Sequence, residues 1–196
     1  MSTKCQSCGA FHTRDALIKG EICPTCDGPY TIRKLQTIAA MPLPQVNKCI
    51  SIMQTQLAEQ PADMQLNLSM GICFLKLKQL EKALSFFDKA MIDNFSDPNP
   101  YYYASICLLK GKKAFLAMRD EIEKIETNLE SANSLEPRPI FYYFQAYIKY
   151  DYYSRKSLNT SPTWEAKLEE AKNAGLMEDE VAEFYALIGV ERPSCI

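Results

Sequence analysis

The stretch MQLNLSMGICFLKLKQLEKALSFFDKAMIDN, residues 64–94, decides the fold of most of this chain. Its apolar residues recur at intervals of three and four, which places them along one face of an α-helix. The pattern predicts two helices, residues 64–77 and 80–91, joined by a tight turn at Lys78 and Gln79. Because this turn is so short, the two helices are expected to pack against each other as an antiparallel pair.

Small and aromatic residues occupy particular places in these two predicted helices. Gly71 and Phe74 fall in the first helix, and Ala83, Phe87 and Ala90 fall in the second. Small residues allow two helices to approach closely, and the aromatic rings fill the remaining space between them. With these residues the pair resembles a tetratricopeptide repeat (TPR), a family in which helical hairpins stack into an array. The resemblance implies a right-handed stack of antiparallel helices that binds peptides or other proteins.

The resemblance is weaker outside residues 64–94. One family period of about 34 residues further on, Ser105 and Ala117 fit the pattern, whereas Glu121 and Lys124 do not. Helical periodicity nevertheless continues over residues 45–190, so we expect a mainly α fold, a TPR-like antiparallel helical-hairpin array preceded by a small β zinc ribbon. An irregular helical bundle is the alternative. Further helices are predicted at residues 46–59, 101–110, 112–129, 140–158, 163–174 and 178–188.

Two Cys-x-x-Cys pairs precede the helical region. Cys5 and Cys8 form the first pair, Cys23 and Cys26 the second, and fourteen residues separate the pairs. Four thiolates at this spacing suit a tetrahedral Zn²⁺ ion, and a site with four protein ligands is typical of a structural metal. The segment resembles a zinc ribbon. Two redox-active dithiols and an iron site of the rubredoxin type are the alternatives, although no βαβ pattern surrounds either pair.

The expected metal module covers residues 1–38. Short strands are predicted at residues 10–13, 16–18 and 30–34, and because few apolar residues are present, the metal would supply most of the folding free energy. Residues 41–44, Met-Pro-Leu-Pro, interrupt the chain twice and predict a boundary before the helical domain. His12, the one histidine of the chain, is interpreted as an exposed hairpin residue, with a role as a substitute ligand or a neighbour of the ligands as the alternative.

Charge and composition limit the classes of partner. The chain of 196 residues is 47% hydrophobic and has a formal net charge of −2, and a zinc ion held by four thiolates would make it more acidic. Residues 1–38 contain five basic and three acidic residues. Phe11 and Tyr30 are the two candidates there for stacking on bases. A basic, aromatic-lined groove is therefore not evident, so nucleic-acid binding is possible but not favoured.

The sequence also bears on location. No apolar run is long enough to predict a membrane span, and the first residues lack the apolar core of a signal peptide. Four cysteines lie singly in the chain, which fits a reducing cytoplasm better than an oxidising compartment. Of these, Cys49, Cys73 and Cys107 are predicted to pack as small apolar residues.

An apolar stripe on the first helix of each predicted hairpin is one candidate partner surface. One interpretation is that later helices, such as residues 140–158, bury this stripe, and we slightly favour it because large exposed apolar patches are uncommon. The other is an exposed groove for an amphipathic helix of a partner. The stripe consists of Leu68, Ile72 and Leu75 in the first hairpin and Tyr102, Ile106 and Leu109 in the next.

A second candidate surface lies in the tyrosine-rich stretch YDYYSRK, residues 150–156. Tyrosine combines a stiff apolar ring with a polar tip and is enriched at interfaces, although packing between helices accounts for most tyrosines of this kind. Tyr150, Tyr153 and Arg155 are the candidate contact residues. Burial of both Tyr153 and Arg155 within the chain would contradict this hypothesis.

No motif for catalysis stands out in the sequence. A phosphate-binding loop, a nucleophile elbow and a dinucleotide fingerprint are missing, and the single histidine lies in the metal module. We therefore expect a non-catalytic protein-interaction adaptor or scaffold with a structural zinc site. A nucleic-acid-associated zinc-ribbon protein with a helical scaffold and an enzyme with an unrecognised site are the alternatives.

Overall fold

The computed structural model describes residues 2–13, 23–26, 28–29, 31–92 and 96–196. The chain divides into two compact units, Met1–Phe95 and Ser96–Ile196. The predicted boundary between residues 38 and 45 lies within the first unit and stays a prediction. The four-cysteine segment shares a unit with the first three helices, because it packs against two of them.

The described residues form two short strands and eight α-helices, with short 3-10 and π turns between some of them. The mainly α prediction is therefore confirmed. The elements are β1 Ser2–Lys4, β2 Phe11–Thr13, α1 Leu43–Glu59, α2 Met64–Lys76, α3 Leu80–Ala90, α4 Asn99–Leu108, α5 Arg119–Leu135, α6 Pro139–Ile148, α7 Trp164–Asn173 and α8 Glu178–Ile188.

In the first unit, α2 and α3 form the predicted hairpin. The Asp63 carboxylate caps α2 by accepting a hydrogen bond from the Leu66 amide at 2.8 Å. The turn forms because Lys78 adopts a left-handed conformation, with φ of 56°, and the Gln79 amide donates to the Phe74 carbonyl at 3.0 Å. Gly71 faces the ring of Phe87, which is buried between the helices.

The two strands agree only in part with those predicted. β1 pairs antiparallel with β2, with Thr3 opposite His12, so the predicted strand at residues 10–13 is observed as β2, and a strand before Cys5 that was not predicted pairs with it. The chain reverses at Gly9, whose φ of +81° favours glycine. Residues 31–34 are not a strand, while residues 16–18 and Tyr30 lie outside the described residues.

In the second unit, α4 packs with α5, α6 packs with α7, and α8 contacts both α4 and α6. Aromatic rings of α6 and α8 fill the centre of this unit. The Tyr143 ring centroid lies 5.8 Å from that of Phe184, and the Tyr143 and Tyr185 hydroxyls are hydrogen-bonded at 3.1 Å. Buried hydroxyls of this kind need a partner, and here they partner each other.

Two predicted helices of the second unit are interrupted. The helix predicted at residues 112–129 begins only at Arg119, after a 3-10 turn over Ala114–Leu116. The helix predicted at residues 140–158 ends at Ile148 and continues as a π turn, Lys149–Tyr153. The two interruptions are connected, because the buried Asp151 of the π turn accepts a hydrogen bond from the Phe115 amide at 2.8 Å.

Among the described residues, no helix combines the length and the hydropathy that crossing a membrane requires.

Candidate metal centre

The four cysteines predicted as metal ligands meet at one point of the first unit. Their Sγ atoms all lie within 4.8 Å of one another. The separations are 4.0 Å between Cys5 and Cys26 and 3.7 Å between Cys8 and Cys23. Zn–S bonds of about 2.3 Å in a tetrahedron place neighbouring sulfurs about 3.8 Å apart. The four side chains can therefore hold a metal ion in tetrahedral coordination.

Each cysteine pair forms a turn that directs backbone amides at sulfur. The Ser7 amide donates to Cys5 Sγ at 3.3 Å, and the Thr25 amide donates to Cys23 Sγ at 3.4 Å. The two turns thus share one geometry, in which the amide two residues after the first cysteine faces its sulfur. Such donors stabilise the thiolate form that a metal requires.

The two turns pack closely against each other. The Ser7 hydroxyl of the first turn donates to the Pro29 carbonyl after the second at 2.6 Å. A Cβ placed on Gly28 would lie 2.8 Å from Ser7 Cβ, which is closer than atoms can pack. Glycine is therefore required at position 28 by the approach of the two turns, and this approach brings the four sulfurs together.

The pKa values of the thiols differ across the cluster. Burial raises the pKa of Cys5 to about 12. Burial also raises the pKa of Cys23, but the Thr25 amide and the contact with Cys5 outweigh it and bring this pKa to about 6. Protein groups alone therefore favour the thiol form of Cys5 and the thiolate form of Cys23. A bound cation would stabilise the thiolate form of its ligands.

The cysteine turns dock on the helices of the first unit. The buried Gln6 side chain accepts a hydrogen bond from the Ile32 amide at 2.9 Å, and the Ile32 carbonyl accepts one from the Ser69 hydroxyl of α2 at 2.8 Å. The Lys76 ammonium at the end of α2 donates to the Ile38 carbonyl at 2.6 Å. The cluster is thus attached to α2 through a chain of hydrogen bonds that involve both backbone and side chains.

Helix α1 also contributes to this docking. The cysteine Cys49 of α1 is buried, and burial raises its pKa, while a polar contact with Ser7 opposes the shift. Cys73 of α2 is buried beside it, and burial raises its pKa to about 12. Both remain protonated apolar neighbours of the cluster. The predicted packing of Cys49, Cys73 and Cys107 in the core is confirmed, since all three are buried.

A polar cavity of about 380 Å³ lies where the cysteine segment meets α1 and α2. The exposed Phe11 forms one wall, and its ring lies 5.5 Å from the Lys4 ammonium. Four glutamines are among the lining residues, and the side-chain oxygen of Gln56 and the side-chain nitrogen of Gln65 are buried without a hydrogen-bond partner among the described residues.

The predicted apolar stripe is not an exposed groove. All six side chains are buried within the chain, and Tyr102 packs against Phe141 and Phe144 with ring centroids 5.3 and 6.2 Å apart. The proposal of a partner surface at these positions is therefore corrected, because their apolar side chains form core. The residues concerned are Leu68, Ile72, Leu75, Tyr102, Ile106 and Leu109.

The second candidate surface stays a prediction. Arg155 is exposed, while Tyr150 and Tyr153 are half-buried, so the condition that would contradict the hypothesis is not met. Each of the three has a contact inside the second unit, since the Tyr153 hydroxyl donates to Glu126 at 2.7 Å and Tyr150 packs edge-on against Trp164. Arg155 is ion-paired with the buried Asp151.

The sequence interpretation missed the docking residues and one exposed segment. Gln6 and Ser69 join the cysteine turns to the helices, but glutamine and serine occur in too many settings to predict such contacts. Leu116 and Met118 are strongly exposed, although helical periodicity placed them in a continuous helix. The feature of the sequence that could have indicated an exposed segment is the pair Lys112 and Lys113, which comes directly before the apolar residues.

Comparisons of the chain with models of protein families, with curated proteins and with solved structures found no match. What the protein does is therefore inferred from its own residues.

Proposed function

We propose that this chain is a non-catalytic protein-interaction scaffold of TPR-like helical hairpins, whose first unit is stabilised by a structural Zn²⁺ ion. The observation that carries the proposal is the group of four sulfurs within 4.8 Å of one another on two matching turns. These turns are fastened to α2 by the Ser69 and Lys76 hydrogen bonds. A metal placed there would hold a helical surface in position.

The donor set supports a structural zinc. Thiolates are soft ligands that select zinc or iron, and four of them complete a tetrahedron without leaving an open position for a substrate. In each Cys-x-x-Cys pair the first cysteine, Cys5 or Cys23, is fully buried. Burial restricts the exchange reactions on which a redox role depends. Iron of the rubredoxin type uses the same ligands, so metal analysis separates the two ions.

The helical part supports an interaction role. Helices α2 and α3 form a close hairpin in the first unit, and α4 with α5 and α6 with α7 pack as successive pairs in the second. Arrays of such pairs offer surfaces to partners while their cores remain closed. The protein partner is expected to be cytoplasmic, since cysteines that form no disulfide suit a reducing compartment.

The metal is tested by analysis of purified protein. We expect one zinc per chain in the unmodified protein, and loss of zinc in the Cys5→Ser, Cys26→Ser double variant, because each turn then lacks one ligand. The Cys195→Ser variant is the matched control, since Cys195 is exposed and lies outside the cluster. Protein purified without chelator that contains no zinc would contradict the proposal, and stoichiometric iron would correct the identity of the ion.

The interaction role is tested by in-cell crosslinking of the full chain, followed by reconstitution with the purified partner. We expect a saturable complex that forms with the unmodified protein and the Cys195→Ser control alike. Turnover of a small molecule by the purified chain would contradict the non-catalytic role. Binding of nucleic acid as the only saturable interaction would favour the zinc-ribbon alternative.

A further inference from the structure

A short segment of the second unit holds two large apolar side chains in solvent. This 114–118 segment consists of the 3-10 turn Ala114–Leu116 and the two residues before α5. Leu116 is 66% exposed and Met118 is 69% exposed. Ala117, with φ of −73° and ψ of 154°, separates these two residues by one position of extended backbone. Leu116 and Met118 together are called the apolar tip.

Hydrogen bonds to buried side chains hold the backbone of the 114–118 segment in place. The Ala114 amide donates to the Tyr147 hydroxyl at 3.3 Å, and the Phe115 amide donates to the Asp151 carboxylate at 2.8 Å. Tyr147 and Asp151 are each 1% exposed. Because the backbone is held in this way, binding through the tip would require little additional ordering of the chain.

The half-buried ring of Phe115 strengthens this anchoring. The Arg155 guanidinium lies 4.7 Å from the ring centroid and the Lys156 ammonium 5.2 Å from it. Cations at these distances are attracted to the face of an aromatic ring. They hold Phe115 in place and also bring positive charge beside the tip.

The surroundings of the tip are basic, although the chain as a whole is acidic. Six lysine and arginine residues and four carboxylates lie near the segment in the sequence or in contact with Phe115. Three ion pairs join Lys110 to Glu121, Arg119 to Glu123 and Arg155 to Asp151. Outside these pairs, Lys112, Lys113 and Lys156 outnumber Asp120. The chain carries a formal charge of −2. The six cations are Lys110, Lys112, Lys113, Arg119, Arg155 and Lys156, and the four carboxylates are Asp120, Glu121, Glu123 and Asp151.

We propose that the 114–118 segment is a docking site for an acidic, amphipathic segment of a partner protein. Leu116 and Met118 would be its apolar anchors, and Lys112 and Lys113 would attract the carboxylates of the partner. This inference rests on the interaction role proposed above and names the surface and the chemistry of the partner.

The carboxylates near the tip favour a protein over an anionic membrane. Asp120 lies in the first turn of α5, two residues after Met118, and is exposed, so an anionic lipid surface would repel it, whereas Glu121 is ion-paired with Lys110. A protein partner can place a cation opposite Asp120 and its carboxylates opposite Lys112 and Lys113. The local charge pattern, with both signs around an apolar centre, is complementary to a protein segment.

The test is selection of random displayed peptides on the full, zinc-loaded chain. We expect the selected peptides to be rich in Asp and Glu and to carry two spaced apolar residues. Leu116→Ser with Met118→Ser should raise their Kd by about tenfold or more, because interface anchors carry most of the binding free energy. Leu158→Ser with Met177→Ser is the matched control, since these residues are 47% and 61% exposed elsewhere in the same unit, and its Kd should be unchanged.

Two further measurements test the charge and the class of occupant. Lys112→Glu with Lys113→Glu should weaken peptide binding, and so should salt, since the screening length falls from about 10 Å at 0.1 M to about 3 Å at 1 M. Binding to phosphatidylserine vesicles that is lost in the Leu116→Ser, Met118→Ser variant would overturn the proposal in favour of a membrane. Self-association lost in the same variant would overturn it in favour of a second copy of the chain.

The inference and the interaction role fail in different ways. If selected peptides or the crosslinked partner bind the Leu116→Ser, Met118→Ser variant as tightly as the unmodified protein, this docking site is wrong while the scaffold role stands. If neither peptides nor a crosslinked partner bind saturably, both are wrong.

Discussion

Gly71 lies where helices α2 and α3 approach each other most closely. A Cβ at this position would lie 2.4 Å from Cε1 and 2.6 Å from Cδ1 of Phe87. The Phe87 ring is fully buried and cannot move aside without displacing its neighbours. A single missing methyl group therefore sets the distance between the two helices of the first hairpin.

We expect Gly71→Ala to destabilise the first unit by about 1–3 kcal/mol, the cost of overpacking a core, even though alanine favours helix more than glycine does. The measurement is chemical unfolding followed by circular dichroism.

The control for this prediction is Gly71→Ala combined with Phe87→Leu, in which the smaller side chain makes room for the added methyl group. The loss in the free energy of unfolding should be smaller in the double variant than the sum of the losses in the two single variants. Additive effects would contradict the role of the Gly71–Phe87 contact.

At the scale of the element, the π turn after α6 connects two parts of the second unit. Its Asp151 is buried, accepts from the Phe115 amide and pairs with Arg155. The same turn buries Lys149, whose ammonium donates to the Thr160 hydroxyl at 3.0 Å. A regular helix would present these side chains at other angles, so the π turn is what places Asp151 under the 114–118 segment.

Asp151→Ala is therefore expected to destabilise the second unit by about 1–3 kcal/mol, since it leaves the Phe115 amide without its acceptor. It should also increase hydrogen exchange at the Ala114 and Phe115 amides. Asp151→Asn is the control, because its side-chain oxygen can still accept from the Phe115 amide while the ion pair with Arg155 is lost. Equal losses in the two variants would mean that the ion pair, and not the amide hydrogen bond, holds the segment.

At the scale of the whole molecule, the four metal ligands all lie in the unit Met1–Phe95. Two of the ligands, Cys5 and Cys23, are fully buried, and the turns that carry them attach to α2 through Ile32 and Ser69. The folding free energy that zinc would supply therefore acts first on the four-cysteine segment and on the helices it contacts.

Removal of zinc by the chelator TPEN is expected to increase hydrogen exchange in residues 2–13 and in α1 and α2. Helices α6 and α8 of the second unit should keep their protection, because their core consists of their own aromatic rings. The measurement is hydrogen–deuterium exchange with mass spectrometry, with the zinc-loaded chain as reference. Uniform loss of protection over both units would contradict this prediction.

Much of the local structure was predictable because it depends on neighbours in sequence. Asp63 caps α2, and the turn at Lys78 and Gln79 was predicted because only these two residues separate two helical patterns. Gly71 and Phe87 contact each other within the same hairpin. The π turn and the 114–118 segment were not predictable, because they depend on a hydrogen bond between residues 115 and 151. Hydrophobic periodicity carries no information on such a pair.

The sequence by itself determined the mainly α fold, the α2–α3 hairpin and the four cysteines that converge on one point, since spacing and periodicity are local properties. Only the tertiary structure decided that the cysteine turns dock on α1 and α2 and that the apolar stripe is buried. It also decided that Leu116 and Met118 are exposed on an anchored segment. The physical reason is that burial of a side chain depends on what packs over it, and those partners are distant in the sequence.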